Sequence, residues 1–296
     1  MASSSRTPKG QFPPPIIVPP LQQPHRHTII FLHGRGSNAA KFHGPLLETV
    51  LDDNQTFRDA FPTARFVFPS APMSRATKYA RMLIHQWFDG SGDWELAAAR
   101  GGMRPTMDYI GRLIRQEIHI LGGNARRVVL AGLSQGCAAA LMSILLWEGG
   151  PLGAVVGLCG YVPICSHLLG VFDGAFEPGH ADGDDDGGEY DVFERDENPS
   201  PPSPAQRVLD ALRDEAELSG DVAEPCRVES AASTPVFLGH GTLDPQVPVS
   251  QALLAEELLR KMGMAVELHT YEGLGHWYAR EMLCHVVSFL QRHLCV

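Results

Sequence analysis

A serine flanked by glycines two places to either side, GLSQG at 132–136, lies between the apolar run 128–131 and a helix-like run at 137–147. A serine forced into a strand-to-helix turn projects its hydroxyl past the carboxyl end of a sheet, where it can act as a nucleophile. Glycines on either side remove Cβ atoms that would meet neighbouring backbone. The same pattern also occurs in unreactive tight turns, so Ser134 needs a base and the base needs an orienter. Of 13 histidines, His276 is the best base, because YEGLGHW follows the last predicted strand. Alone it would read as a capping or surface histidine. Asp244, in PVFLGHGTLDPQVP, follows a buried strand and precedes two prolines that stiffen its loop. Alone it would be an Asx-turn residue. The three occur in the order Ser–Asp–His, each just past a predicted strand, and that order points to acyl transfer through a serine ester.

A fourth element is HGRGS at 33–37, directly after the first strand. A glycine-bearing loop there can place the Arg35 N–H opposite the Gln135 N–H, giving an oxyanion two donors. The start of the helix at Gln135 adds the positive end of its dipole. His33 and His240 flank this region and read as packing or hydrogen-bonding residues, with no carboxylate partner identifiable for either.

These residues need a scaffold that brings strand ends together. Segments HTIIFL (27–32), ARFVF (64–68), RVVLA (127–131), AVVGL (154–158), PVFL (235–238) and VELHTY (266–271) are short and β-branched. Their apolarity is largely continuous, as in strands of a parallel sheet covered on both faces. Helical spacing relates Met107, Ile110, Ile114, Ile118 and Leu121, and Gly122–Gly123 provide a stop. Runs 250–262 and 278–294 read as helices too. Alternation of strand and helix predicts an α/β fold, a mostly parallel, doubly wound sheet with helices on both faces. Residues 27–296 form one domain in this reading. Residues 1–26 are an extended Pro-rich arm, and about 170–234 is a partly disordered acidic insertion with one helical stretch at 205–218.

The chain of 296 residues carries 24 Lys and Arg against 34 Asp and Glu, a formal charge of −10. Nine of the carboxylates fall within ADGDDDGGEYDVFERDEN from Ala181, with Arg195 the one cation. That run reads as a solvated loop; it lacks the register of a calcium loop. An acidic chain without a basic stripe argues against nucleic-acid binding. No apolar run approaches the ~20 residues of a membrane span, so no stable membrane insertion is expected. The six cysteines, at 137, 159, 165, 226, 284 and 295, have no CxxC spacing. They suggest neither a zinc site nor a disulfide framework, and a reduced, cytoplasmic setting is expected.

The blocks TIIFLHGRGS, FPSAP with HQWFDG, GLSQG, PVFLGHGTLDPQVP and YEGLGHWY resemble, in order, those of the phospholipase/carboxylesterase family of α/β-hydrolases, which includes acyl-protein thioesterases. The resemblance covers about 28–294 apart from the insertion. It implies the α/β-hydrolase fold, with Ser134 as nucleophile, Asp244 as acid, His276 as base, and the amides of Arg35 and Gln135 as oxyanion hole. It also implies that Trp87 lies near the acyl pocket as a substrate-binding residue; by itself Trp87 would be a core aromatic. No metal or cofactor is implied. The expected substrate is a small-molecule or acylated-protein ester or thioester, and the expected assembly a monomer or homodimer. An acyltransferase, a product-releasing thioesterase and a non-catalytic binding scaffold stay open as alternatives. Two residues depart from the family's pattern: Arg35 stands where an apolar residue is common, and Cys137 where glycine is. An Arg35 guanidinium facing the pocket would favour a polar or anionic substrate.

Overall fold

Continuous apolarity in the predicted strands corresponds to burial on both faces of a sheet. In His27–Leu32 (β2) the side chains of Ile30 and Leu32 enter one core, while those of Ile29 and Phe31 enter a second core on the opposite face. The computed structural model describes residues 11–52, 54–90, 103–175, 201–218 and 231–294. With β2, strands Ile16–Val18 (β1), Ala64–Phe68 (β3), Val128–Leu133 (β6), Ala154–Leu158 (β7), Val236–Gly241 (β8) and Val266–Tyr271 (β9) build a seven-stranded sheet. Its order is β1-β3-β2-β6-β7-β8-β9, and every pairing is parallel except β1 with β3. Part of the Pro-rich arm is thus an antiparallel edge strand. A separate hairpin pairs Met73–Ala76 (β4) with Met82–His85 (β5).

Helices cover both faces. Met103–Ile120 (α2), Gln135–Leu145 (α3), Cys165–Phe172 (α4), Pro204–Glu215 (α5) and Val249–Lys261 (α6) contribute to the first core. Ala39–Leu47 (α1) and Arg280–Leu294 (α7) pack into the second. Each buried Leu or Phe on these faces stabilises the layer by about 1.5–3 kcal/mol relative to exposure. The helical stretch expected at 205–218 is α5, which begins on Pro204 with Ser203 capping the Gln206 amide. Its Val208, Leu209 and Leu212 are buried in the first core, so this part of the insertion is built into the fold. The acidic run from Ala181 to Asn198 lies outside the described residues. Among those residues no helix is long and apolar enough to cross a membrane.

Parallel strands end on the same edge, and the loops after β2, β6, β8 and β9 meet there. This edge receives HGRGS, Ser134, Asp244 and His276.

Candidate active site

Ser134 sits between β6 and α3 with φ 56° and ψ −120°, a left-handed backbone that L side chains rarely adopt. Close packing holds it there. A Cβ on Gly132 would lie 2.2 Å from the Gly136 carbonyl oxygen, and one on Gly136 would lie 2.4 Å from that of Leu32. Both glycines are therefore demanded by backbone contacts that cannot move aside. The Ser134 amide donates to the Leu158 carbonyl at 2.8 Å, tying the turn to β7.

Around this serine the three residues singled out by their order converge. His276 Nε2 lies 2.8 Å from Ser134 Oγ, and Asp244 Oδ2 lies 2.7 Å from His276 Nδ1. With the Nδ1 proton donated to the carboxylate, Nε2 is left to accept from the serine hydroxyl. Asp244 is fixed from its other side: Oδ1 accepts from the amides of Gln246 at 2.8 Å and Val247 at 2.9 Å. Burial alone would raise the pKa of this carboxyl. Hydrogen bonds from His240, His276 and the Val247 and Gln246 amides outweigh that and hold it well below the usual carboxylate range.

His240 corrects one expectation, since it does have a carboxylate partner. Its Nε2 lies 3.4 Å from Asp244 Oδ2 and 2.8 Å from the Val247 carbonyl. The carboxylate oxygen facing His276 thus has a second imidazole beside it, which four residues of spacing across a strand end did not reveal.

The HGRGS loop lies against the serine, with a Cβ on Gly34 only 3.3 Å from Ser134 Cβ. Gly36, at φ 81°, donates its amide to the His85 carbonyl at 2.7 Å, which pins the loop to β5. Among the described residues, neither the Arg35 nor the Gln135 amide donates to a protein acceptor. An unpaired amide is ordinary for the first residue of a helix. Both residues line the same cavity as Ser134 and His276, about 190 Å³ in volume, which Leu133, Tyr161 and Trp277 also border.

Trp87 occupies a different place from the one expected. It is 1% exposed, is not among the residues lining this cavity, and lies behind the HGRGS loop. Its indole N–H donates to the His33 carbonyl at 2.7 Å, and its backbone amide to Gln135 Oε1 at 3.0 Å. Gln135 Nε2 in turn donates to the Phe88 carbonyl at 2.6 Å. A tryptophan with a buried N–H needs such an acceptor, and satisfying it clamps both amide-bearing loops. Cys137 likewise faces away from the cavity. Its thiol fills space left by Gly157 and Gly160, where a Cβ would lie 2.6 and 2.4 Å from Sγ, and burial pushes the thiol pKa up. The departure at this position is one of packing.

His33 behaves as a hydrogen-bonding residue, accepting from the Ala71 amide at Nε2 (3.0 Å) and donating from Nδ1 to the Gly34 carbonyl (2.7 Å). That pattern requires a neutral ring. Burial, the largest influence, pushes its pKa down from 6.5 to about 4 against the opposing bond to Gly34. The unfolded chain therefore takes up the proton first as pH falls, and stability drops between pH 6.5 and about 4, then levels off. At about 1.36 kcal/mol per pH unit the loss from this residue is about 3 kcal/mol. Denaturation midpoints measured across that range should show it, and a His33→Gln variant should lack that part of the slope.

Strained serine elbow, parallel sheet and convergent loops define an α/β-hydrolase. A profile of the phospholipase/carboxylesterase family matches residues 15–171 and 217–294, and the chain belongs to that family. The unmatched stretch between them falls in the insertion. Acyl-protein thioesterase 1 of Yarrowia lipolytica is 25% identical over 95% of this chain and 98% of its own length. Carboxylesterase SOBER1 of Arabidopsis thaliana is 26% identical over 91% of each. Among solved structures, that of Zea mays acyl-protein thioesterase 2 superposes with a TM-score of 0.63 at 20% identity, covering 95% of this chain and 98% of the other. It shares the fold.

Proposed function

We propose that this chain is a serine hydrolase that cleaves carboxylic esters or thioesters through an acyl-enzyme, with Ser134 as nucleophile, His276 as base and Asp244 as its orienter. The observation that carries the reading is the unbroken relay from Ser134 Oγ to His276 Nε2 (2.8 Å) and from His276 Nδ1 to Asp244 Oδ2 (2.7 Å). Family membership and relatives named as acyl-protein thioesterase and carboxylesterase support it.

In the first half-reaction Ser134 Oγ bonds to the acyl carbon as its proton passes to His276 Nε2. The carbonyl oxygen becomes an oxyanion, received by the Arg35 and Gln135 amides. Asp244 stays ionised and stabilises the imidazolium; its depressed pKa keeps it from taking the proton. Collapse breaks the bond to the alkoxide or thiolate, which leaves with the proton from His276. Water then gives its proton to His276, attacks the acyl-enzyme, and releases the acid and the free serine. Trp87 acts here as a positioning residue, holding the loops that carry both amides. No step calls on a metal or organic cofactor. A cytoplasmic monomer or homodimer is the setting we propose, in keeping with the family and with Cys137, Cys159 and Cys284, which form no disulfide among the described residues.

The reading is tested with p-nitrophenyl esters and acyl thioesters of graded chain length. Hydrolysis at a rate that tracks labelling by a fluorophosphonate probe is expected. A protein that binds the esters without turning them over, or transfers the acyl group only to an alcohol, would overturn it.

A further inference from the structure

A tryptophan stands next to the base. Trp277 follows His276 directly and borders the cavity that holds Ser134, yet it is 48% exposed. Its surroundings hold it there. The Trp277 amide donates to the Gly275 carbonyl at 2.9 Å, and its carbonyl accepts from the Cys159 thiol at 3.4 Å. Tyr278 stacks on the indole with centroids 5.0 Å apart and planes tilted by 29°. Phe42 of α1 meets it at right angles, centroids 6.5 Å apart, and is itself packed against Phe31 and Phe68. Tyr278 belongs to the second core, so part of the indole is covered by the protein while the rest looks onto the cavity and solvent. Position assigns this surface to one side of the substrate. The departing oxygen or sulfur must lie within hydrogen-bond reach of His276 Nε2 to take up its proton. What that atom carries lies beside the residues flanking His276, and of the described ones Trp277 is the neighbour that borders the cavity. At about 190 Å³ that cavity is comparable to the ~150 Å³ of an apolar cavity that takes up benzene.

We propose that Trp277 is an aromatic wall for the leaving group, selecting esters or thioesters whose alcohol or thiol carries an aromatic ring close to the departing atom. The inference rests on the ester-hydrolase reading and names the class of its leaving group. A flat ring can lie against the open part of the indole. Aromatic pairs in offset or edge-to-face contact gain beyond the area they bury, because the negative face of one ring meets the positive edge of the other. A saturated ring of similar size buries comparable area without that gain. Phe42 acts through the indole, as a positioning residue.

The test compares benzyl acetate with cyclohexylmethyl acetate, and S-benzyl thioacetate with S-cyclohexylmethyl thioacetate. Hydrolysis of each pair by hydroxide supplies the intrinsic ratio. In whichever pair the enzyme turns over, kcat/KM is expected to favour the benzyl member by about two- to tenfold beyond that ratio. Methyl phenylacetate against methyl cyclohexylacetate, which moves the ring to the acyl side, should show no such excess. Trp277→Leu should bring the excess near one, Trp277→Phe should keep part of it, and Phe42→Leu should lower it. Each figure is a ratio within a pair, so any loss of folded enzyme in a variant cancels. No excess in either benzyl pair, an excess unchanged in Trp277→Leu, or one confined to the acyl side overturns the wall while leaving the hydrolase reading intact. Fluorophosphonate labelling without turnover of either benzyl substrate does the same. Absence of turnover on every substrate together with absence of labelling overturns both.

Discussion

Replacing Ser134 with alanine is expected to lower kcat on any ester or thioester substrate by roughly 10⁵–10⁶-fold and to abolish fluorophosphonate labelling. The magnitude follows from what is lost. With no Oγ there is nothing for His276 to deprotonate at 2.8 Å and no acyl-enzyme to form, so only the oxyanion amides and substrate positioning still act. A second substitution at the same position separates chemistry from folding. Ser134 pays for its placement with a backbone at φ 56° and ψ −120°, a conformation costing of order 1–3 kcal/mol for a non-glycine residue. Glycine adopts it freely and gives back about 0.5–1 kcal/mol through its looser unfolded chain. Ser134→Gly should therefore be as inactive as Ser134→Ala yet more stable than wild type by about 1 kcal/mol, raising the melting temperature by a few degrees. A glycine variant that is inactive and also less stable would mean that the serine side chain contributes to folding, and the strain argument would fail.

What sequence alone could convey about this molecule followed from burial. Strands covered on both faces must be apolar throughout, so β2, β3 and β7 lie where the apolar runs lie; VELHTY does form β9, but as an edge strand in which only Tyr271 is buried, so the burial expected for it is not found. The run at 127–131 extends as a strand through Gly132 and Leu133, because the elbow begins only where backbone contact forces the turn at Ser134. Edge structure was less legible. β1 is three residues flanked by prolines, and its pairing depends on a free edge of β3 that no local pattern reveals. The turn of the β4–β5 hairpin holds Ala80 and Arg81 at φ 48° and 61°, with none of the Gly or Asn that marks such turns. α1 contains Gly44 and Pro45, which reads as a break until Asn38 is seen capping its start. At the candidate site, the residues to consider were readable and their surroundings were not. The order of Ser134, Asp244 and His276 singled out three residues that the fold brings within hydrogen-bonding distance, whereas the His240 contact, the clamp formed by Trp87 and the inward turn of Cys137 depend on how loops fold over one another. Trp87 had one usable signal: an indole in the core must find an acceptor, and the carbonyls at the end of β2 lie where one is needed.

Asp244→Asn is the substitution that tests how the histidine is oriented, and it should lower kcat by about 10⁴-fold with little change in overall fold. What decides the outcome is which end of the amide faces which partner. Oδ1 accepts from the amides of Gln246 and Val247, and those N–H groups can only donate. The asparagine oxygen must therefore take that place, since the reverse would set an NH₂ against two N–H groups. Its NH₂ is then directed at His276, where the carboxylate oxygen now accepts from Nδ1 at 2.7 Å. A donor at that point forces Nδ1 to become the acceptor and moves the ring proton to Nε2. Nε2 can then donate to Ser134 Oγ but cannot accept its proton, and the relay is broken at the atom that must act as base. The same NH₂ meets His240 Nε2, 3.4 Å from this oxygen in the native protein, and because that nitrogen donates to the Val247 carbonyl at 2.8 Å the contact becomes donor against donor. The asparagine thus keeps both amide bonds and its bond to His276 and loses only the longer contact to His240, so the lesion is one of tautomer more than of packing. Nitrogen NMR of the His276 ring should show the proton on Nδ1 in wild type and on Nε2 in the variant. A variant retaining near-native kcat, or one with kcat lost and the proton still on Nδ1, would show that Asp244 acts through something other than the orientation of His276.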